Sequence, residues 1–418
     1  MSLVGLIQKL RNEISPCRNN SYSAVQRRRG IGRCSIKISG LSKFSLGCAL
    51  ALFAMQPQTQ GATIVVTNTG DTIAVDGFVT LREAITSANN NANVNGDVVA
   101  VGAYGTDTIR FNIAGAGVKT IRPTLDLPTI TDPVTIDGYT QGVASANTLV
   151  VGNNAVLLIE LDGSLTPSSQ GLSITAGNTT VRGLVINRFS NGIFLTSGGN
   201  NVIEGNFIGT DPTGTLDRGN NGNGVDVGSG GNLIGGITPA ARNVISGNSG
   251  AGVGILAPAT LVRGNYIGTN KSGTAKLGNT QGVGVTLGGH NAVIGGSDDD
   301  DGTLDGIVGA RNVISGNDAS GIIINTNGNG PLGAVTIRGN FIGVNATGSG
   351  ALGNSSHGID NDGRFRTDIT IIGGTEPGAG NVISSNNPTG IFNNATGMVI
   401  QGNFIGTDAS GTFATTTE

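Results

Sequence analysis

The chain has 418 residues, of which 72 are glycine and only 4% aromatic, and its formal net charge is −3. Such a composition excludes a core built from bulky side chains, and the lack of surplus positive charge argues against a nucleic-acid partner. All three cysteines (Cys17, Cys34 and Cys48) precede residue 62, which excludes a disulfide framework or a cysteine-based zinc site in the body of the chain.

Charge divides the chain at about residue 62. Residues 1–62 hold nine basic side chains and one acid, Glu13; the remainder holds 15 basic and 26 acidic residues, a net charge near −11. The basic stretch leads into an apolar run, "FSLGCALALFAM" at 44–55, and then small residues. This is the pattern of a signal peptide cleaved after Gly61 or Ala62. The apolar run is about 12 residues long, too short to cross a bilayer. The expectation is an exported protein, secreted or held at the cell surface, with no membrane span in the mature chain.

Residues 63–150 are expected to form an N-terminal cap and the first coils of a solenoid. Thr80-Leu81-Arg82-Glu83 reads as a capping box, Thr80 as the N-cap and Glu83 at the third helical position. Leu81, Ala84, Ile85 and Ala88 then lie on one stripe of a short helix over 81–89. A solenoid needs such an element to cover its open apolar end.

From 151 onward the sequence repeats. "RNVISGN" stands at 242–248 and again at 311–317, with "GNVISSN" at 380–386; Asn243, Asn312 and Asn381 are each 69 residues apart. Between them recur "GNFIGT" or close variants, from Gly205, Gly264, Gly339 and Gly402, and an "IGG" phrase ending at Gly236, Gly296 and Gly374. Three phrases per 69 residues predict a three-coil super-repeat of about 20–27 residues per coil. The apolar runs are short, rich in Val and Ile, alternating, and broken by Gly and Asn, so they read as strands joined by tight corners. With no helices to make crossovers, equivalent strands of successive coils must pair in parallel. The fold class is all-β: a right-handed parallel β-helix solenoid with a short N-terminal capping helix. In it, Ile245, Ile314 and Ile383 fall on one line along the axis. Asn248, Asn317 and Asn386 are expected at corners, in the left-handed conformation that Asn tolerates.

The stretch "TIVVTNTGD…GFVTLREAITSANN" followed by these phrases resembles a family of exported bacterial surface proteins. They carry an N-terminal domain named for a Cys-Ser-Leu-Arg-Glu-Ala motif, followed by right-handed parallel β-helix repeats of the pectin-lyase-like fold. Here the motif reads Val79-Thr80-Leu81-Arg82-Glu83-Ala84, so the leading Cys and Ser are replaced. The resemblance implies surface location and fold, and no settled activity.

Candidate chemistry is confined to two stretches. "HGIDNDGRFRTD" at 357–368 places His357, Asp360, Asp362, Arg364, Arg366 and Asp368 where other repeats carry small or apolar residues. With Ile359 inward, Asp360 and Asp362 project outward from one strand about 6.5–7 Å apart, a separation suited to acid–base work on a glycosidic bond. His357 and Arg364 complete the catalytic candidates, and a surface ion-pair rung is the plainer reading. "SDDDDGTLDG" at 297–306 offers Asp298, Asp299, Asp300, Asp301 and Asp305 as oxygen ligands for calcium; a solvated loop is the plainer reading. No other cofactor is expected. Expected partners are an extracellular polysaccharide or a cell-surface or matrix ligand. A structural, adhesive or ligand-binding role leads, with a polysaccharide lyase or glycoside hydrolase as the alternative. After the last "GNFIGT" the pattern calls for a further strand that is not found before Glu418, so the final strand is expected to offer an open edge for end-to-end self-association.

Overall fold

The computed structural model describes residues 61–286, 288–325, 333–362, 369–412 and 414. Residues 1–60, most of the expected leader, therefore lie outside the described residues. Three all-parallel sheets of 11, 10 and 8 strands run along one axis, and successive coils add one strand to each. This is the right-handed parallel β-helix.

The interior follows from alternation. In the second sheet Ile186, Ile208, Ile245, Ile267, Ile314, Ile342 and Ile383 pair in register, coil upon coil, and each is fully buried. Each contributes about 1.5–3 kcal/mol by leaving water. The preceding residue of each strand points outward, and these alternate: Val185, Phe207, Val244, Tyr266, Val313, Phe341, Val382. They form a second buried cluster between the sheet and the loops laid over it.

Two expectations are corrected here. The 69 residues from Asn243 to Asn312 make two coils rather than three, because Val244 pairs with Tyr266 and Tyr266 with Val313. The "IGG" phrase is the first-sheet strand of the same coil that carries "NVISGN" in its second-sheet strand, as in Leu233–Gly235 and Val244–Ile245. Coil length is uneven, and neighbouring ladder asparagines lie from 22 to 47 residues apart, because insertions collect at the corners.

The asparagines are also used differently. The left-handed corner residue is the one before Asn: Gly247 (φ 79°), Gly316 (φ 74°) and Ser385 (φ 60°). The Asn side chains face inward and form ladders. On entering the second sheet, Asn206, Asn243, Asn265, Asn312, Asn340, Asn381 and Asn403 each pass a side-chain hydrogen bond to the next. On leaving it, Asn220, Asn248, Asn279, Asn317, Asn354 and Asn386 do the same. Each Nδ2 also reaches a main-chain carbonyl, as from Asn265 to Ile234. The buried amides are thereby satisfied at corners where the strands cannot supply partners.

At the N-terminal end, β1 (Gly61–Val66) pairs with β2 (Ala103–Phe111), and α1 (Leu81–Asn90) lies between them in sequence. The strand starts two residues before the expected start of the domain: Gly61 pairs with Ala103, and buried Ala62 donates its N–H to Asp107. In α1 the capping box is formed, and Leu81, Ala84, Ile85 and Ala88 join the main core. Arg82 pairs with Asp71 and donates to the carbonyls of Leu125 and Asp126. Glu83 accepts from Thr80 and from Ala74 and Asn95. All four residues of the Leu-Arg-Glu-Ala motif therefore hold the cap together. No helix of the described residues is long and apolar enough to cross a membrane.

Candidate functional site

The third sheet carries the polar rung. Ile359–Asn361 lies between Ile322–Ile324 and Ile391–Asn393. Ile359 and Asn361 are buried, so Asp360 faces outward between Ile323 and Phe392. His357 stacks on Phe392 with ring centroids 4.9 Å apart, and its Nδ1 meets Thr389 Oγ1 at 2.7 Å. Asp362 accepts a hydrogen bond from Asn394. Arg364, Arg366 and Asp368 lie outside the described residues.

Asp360 is the perturbed group of this rung. Partial burial raises its pKa above the usual carboxylate value, the Asp362 charge adds to this, and His357 opposes it. Its Oδ1 is buried and has no hydrogen-bond partner among the described residues. A carboxyl inclined to keep its proton beside a second carboxylate is an arrangement capable of acid–base work.

Outward neighbours of Asp360 define a strip. Coil by coil, Phe194, Asp226, Gly254, Gly284, Ile323, Asp360 and Phe392 pair in one lateral row. At about 4.8 Å per strand the row is about 29 Å long. Phe194 and Phe392 bound this stretch, with Ser173 continuing the row beyond Phe194, and an acid stands inside each ring; between them Gly254 lies buried under the Asn223 side chain, and Gly284 is the low point. An added Cβ at Gly284 would make ordinary van der Waals contact, with Gln281 Oε1 at 3.5 Å and Ala251 Cβ at 3.8 Å. Burial raises the pKa of Asp226, and the side chain of Asn223 opposes it.

The acidic stretch is ordered. Asp298–Asp301 is a 3₁₀ turn whose carboxylates go to different partners. Asp298 accepts from Gly306 N, Asp299 from Ser297 Oγ, Asp301 from Thr303 and Asp305 from Ile307 N. Asp300 accepts from Ser297 N and pairs with Arg263 and Arg338 at 3.4 and 3.1 Å. Burial pushes its pKa up, but the Ser297 N–H and the two guanidiniums outweigh this and hold it below the usual value. Among the described residues no group of three or more His, Cys, Asp or Glu side chains is placed to hold a metal ion.

One feature escaped the sequence reading. Over the outer face of the second sheet, the loop at 147–154 and the acidic loop enclose a cavity of about 200 Å³. Arg242 stacks over Tyr266 and Arg311 over Phe341, at 4.6 and 4.2 Å to the ring centroids. Both arginines head the repeated phrase, where recurrence alone does not set them apart from the residues that build the coils. The loop that reaches Arg242 lies about 90 residues upstream and carries no matching signal.

No family model matches the chain, and no curated protein matches it. Among solved structures it is similar to pectate lyase Pel9A, with 12% identity, a TM-score of 0.42, and 86% of this chain and 82% of that one covered. It is also similar to the periplasmic alginate epimerase AlgG, with 12% identity, a TM-score of 0.30, and 71% and 59% covered.

Proposed function

We propose that this chain is an exported, extracellular or cell-surface β-helix protein that works by binding, and that its ligand is an extended polysaccharide laid along the third-sheet strip. The strip itself carries the reading. A shallow track with aromatic rings at each end suits a flat, hydroxyl-rich chain that stacks on Phe194 and Phe392 and hydrogen-bonds to Asp226 and Asp360. The two acids make neutral glycans better ligands than polyuronates. The likeness of the N-terminal motif to exported surface proteins supports the location, as does the basic, apolar leader.

A second reading is a polysaccharide lyase or glycoside hydrolase. The raised pKa of Asp360 beside Asp362 and His357 favours it. The two readings share one face and differ in turnover.

The binding reading is tested on an array of immobilised plant, bacterial and animal glycans. Wild-type protein is expected to be retained on extended neutral polysaccharides, and Phe194→Ala and Phe392→Ala to be retained about tenfold less, as loss of a stacked ring implies. Equal retention of wild type and both variants, or retention of none, would remove the strip as the binding face.

A further inference from the structure

We propose that Arg311 and Phe341, with the cavity beside them, form a docking site for a turn of another polypeptide that presents main-chain carbonyl oxygens and one apolar side chain. This goes beyond the glycan reading and concerns a different face of the solenoid.

The chain's own repeat supplies the comparison. Arg242 and Arg311 occupy equivalent positions two coils apart. Each donates its Nε to the carbonyl of the glycine that opens the next second-sheet phrase, Gly264 or Gly339. Each guanidinium lies over the aromatic ring of that phrase. At Arg242 the remaining donors are occupied by one loop: Nη1 donates to the carbonyls of Leu149 and Gly152, and Nη2 to that of Val150. The same loop returns a hydrogen bond, from Gly152 N–H to the Tyr266 hydroxyl at 2.8 Å. Among the described residues no such loop reaches Arg311, and its Nη1 and Nη2 donate no hydrogen bond.

The Arg311 copy has room beside it, although Phe341 itself is buried like Tyr266. Arg311 stands between the cavity of about 200 Å³ and an open cleft of about 570 Å³. The cavity wall beside it is apolar, with Val150, Val151, Ile307, Val308 and Ala346. Val150, Val151 and Ile307 are about half exposed, a rim more suited to a peptide than to a sugar.

Charge decides between peptide carbonyls and a carboxylate. Asp301 lines the cavity, Glu376 lines the cleft, and the Asp298 charge acts on Arg311. An anionic ligand would meet these acids, whereas neutral carbonyls satisfy the guanidinium without adding charge. In the occupied copy the oxygens are all main-chain carbonyls.

The test uses the intact protein and a cyclic peptide of residues 147–154, titrated by fluorescence anisotropy. The peptide is expected to bind wild type and to bind Arg311→Ala at least tenfold more weakly. Phe341→Tyr is expected to bind it more tightly, because the new hydroxyl supplies the acceptor that Tyr266 provides in the filled copy. Arg311→Lys, which keeps the charge and loses the fork, is expected to behave like Arg311→Ala. Unchanged thermal unfolding confirms that each variant is folded. Three results would overturn the proposal: no binding to wild type, equal binding to Arg311→Ala and Phe341→Tyr, or displacement of the peptide by acetate or oligogalacturonate below the peptide's own concentration.

Discussion

Asn265 donates its Nδ2 to Asn312 Oδ1 at 3.1 Å, a contact between residues 47 apart in sequence and one coil apart along the axis. Its Nδ2 also serves the carbonyls of Ile234 and Arg263, and its Oδ1 accepts from Asn243. Asn265→Ala removes all of these at once inside the solenoid. Buried groups left without partners cost about 1–3 kcal/mol each, so the expected loss is about 2–4 kcal/mol in urea unfolding. A loss under about 1 kcal/mol would show that the ladder holds little of the fold.

The cap yields a graded pair of variants. Thr80→Ala deletes the N-cap oxygen and is expected to cost about 1 kcal/mol. Glu83→Ala strips the acceptor from Thr80, Ala74 and Asn95 together, in a side chain that is 1% exposed. It is expected to cost clearly more than Thr80→Ala. The reverse order in thermal unfolding would mean that the helix is held by its apolar stripe alone.

Acid sensitivity should concentrate at Asp162. Its carboxylate is buried and pairs with Arg122 and Arg188 at 2.9 and 2.8 Å. Burial pushes its pKa up, but hydrogen bonds from Ser164 and the Arg188 guanidinium overcome this and leave it lowered. A lowered folded pKa means that the unfolded chain takes up this proton first as pH falls. The stabilisation is therefore complete above the ordinary aspartate value of about 3.9 and is lost as pH drops through the lower folded value. Asp162→Asn should be less stable than wild type at neutral pH, and the gap should narrow toward pH 3. A gap that stays constant with pH would contradict the assignment.

Because 69 residues make two whole coils, excising residues 243–311 should join Arg242 to Asn312 with every sheet and both ladders in register. In a solenoid, stability is close to a sum over neighbouring coils, so the shortened chain should unfold cooperatively with a smaller enthalpy. A shortened chain that lacks a cooperative transition would contradict the two-coil register.

Much of this architecture was legible because it is local or periodic. Val and Ile alternation marks the strands, Thr80 and Glu83 mark the helix start, and the recurrence of Ile245, Ile314 and Ile383 marks the stack. The coil count was not legible, since "IGG" and "NVISGN" are strands of one coil separated by corners of variable length. Nor was the asparagine role: a ladder bond joins residues from 22 to 47 apart, and only the coil register brings them together. The polar rung stood out in sequence, and Asp360 does face outward there. The strip it belongs to did not, because Phe194 and Phe392 become neighbours of one row only after six strand pairings.

The most direct test of the account concerns turnover on that strip. Wild-type protein and Asp360→Asn are incubated with pectate, alginate and dextran, and new chain ends are followed over time. Binding without chemistry predicts no accumulation of products for either protein on any of the three. Steady product formation by wild type that disappears in Asp360→Asn would contradict it and establish the rung of Asp360, Asp362 and His357 as a catalytic centre.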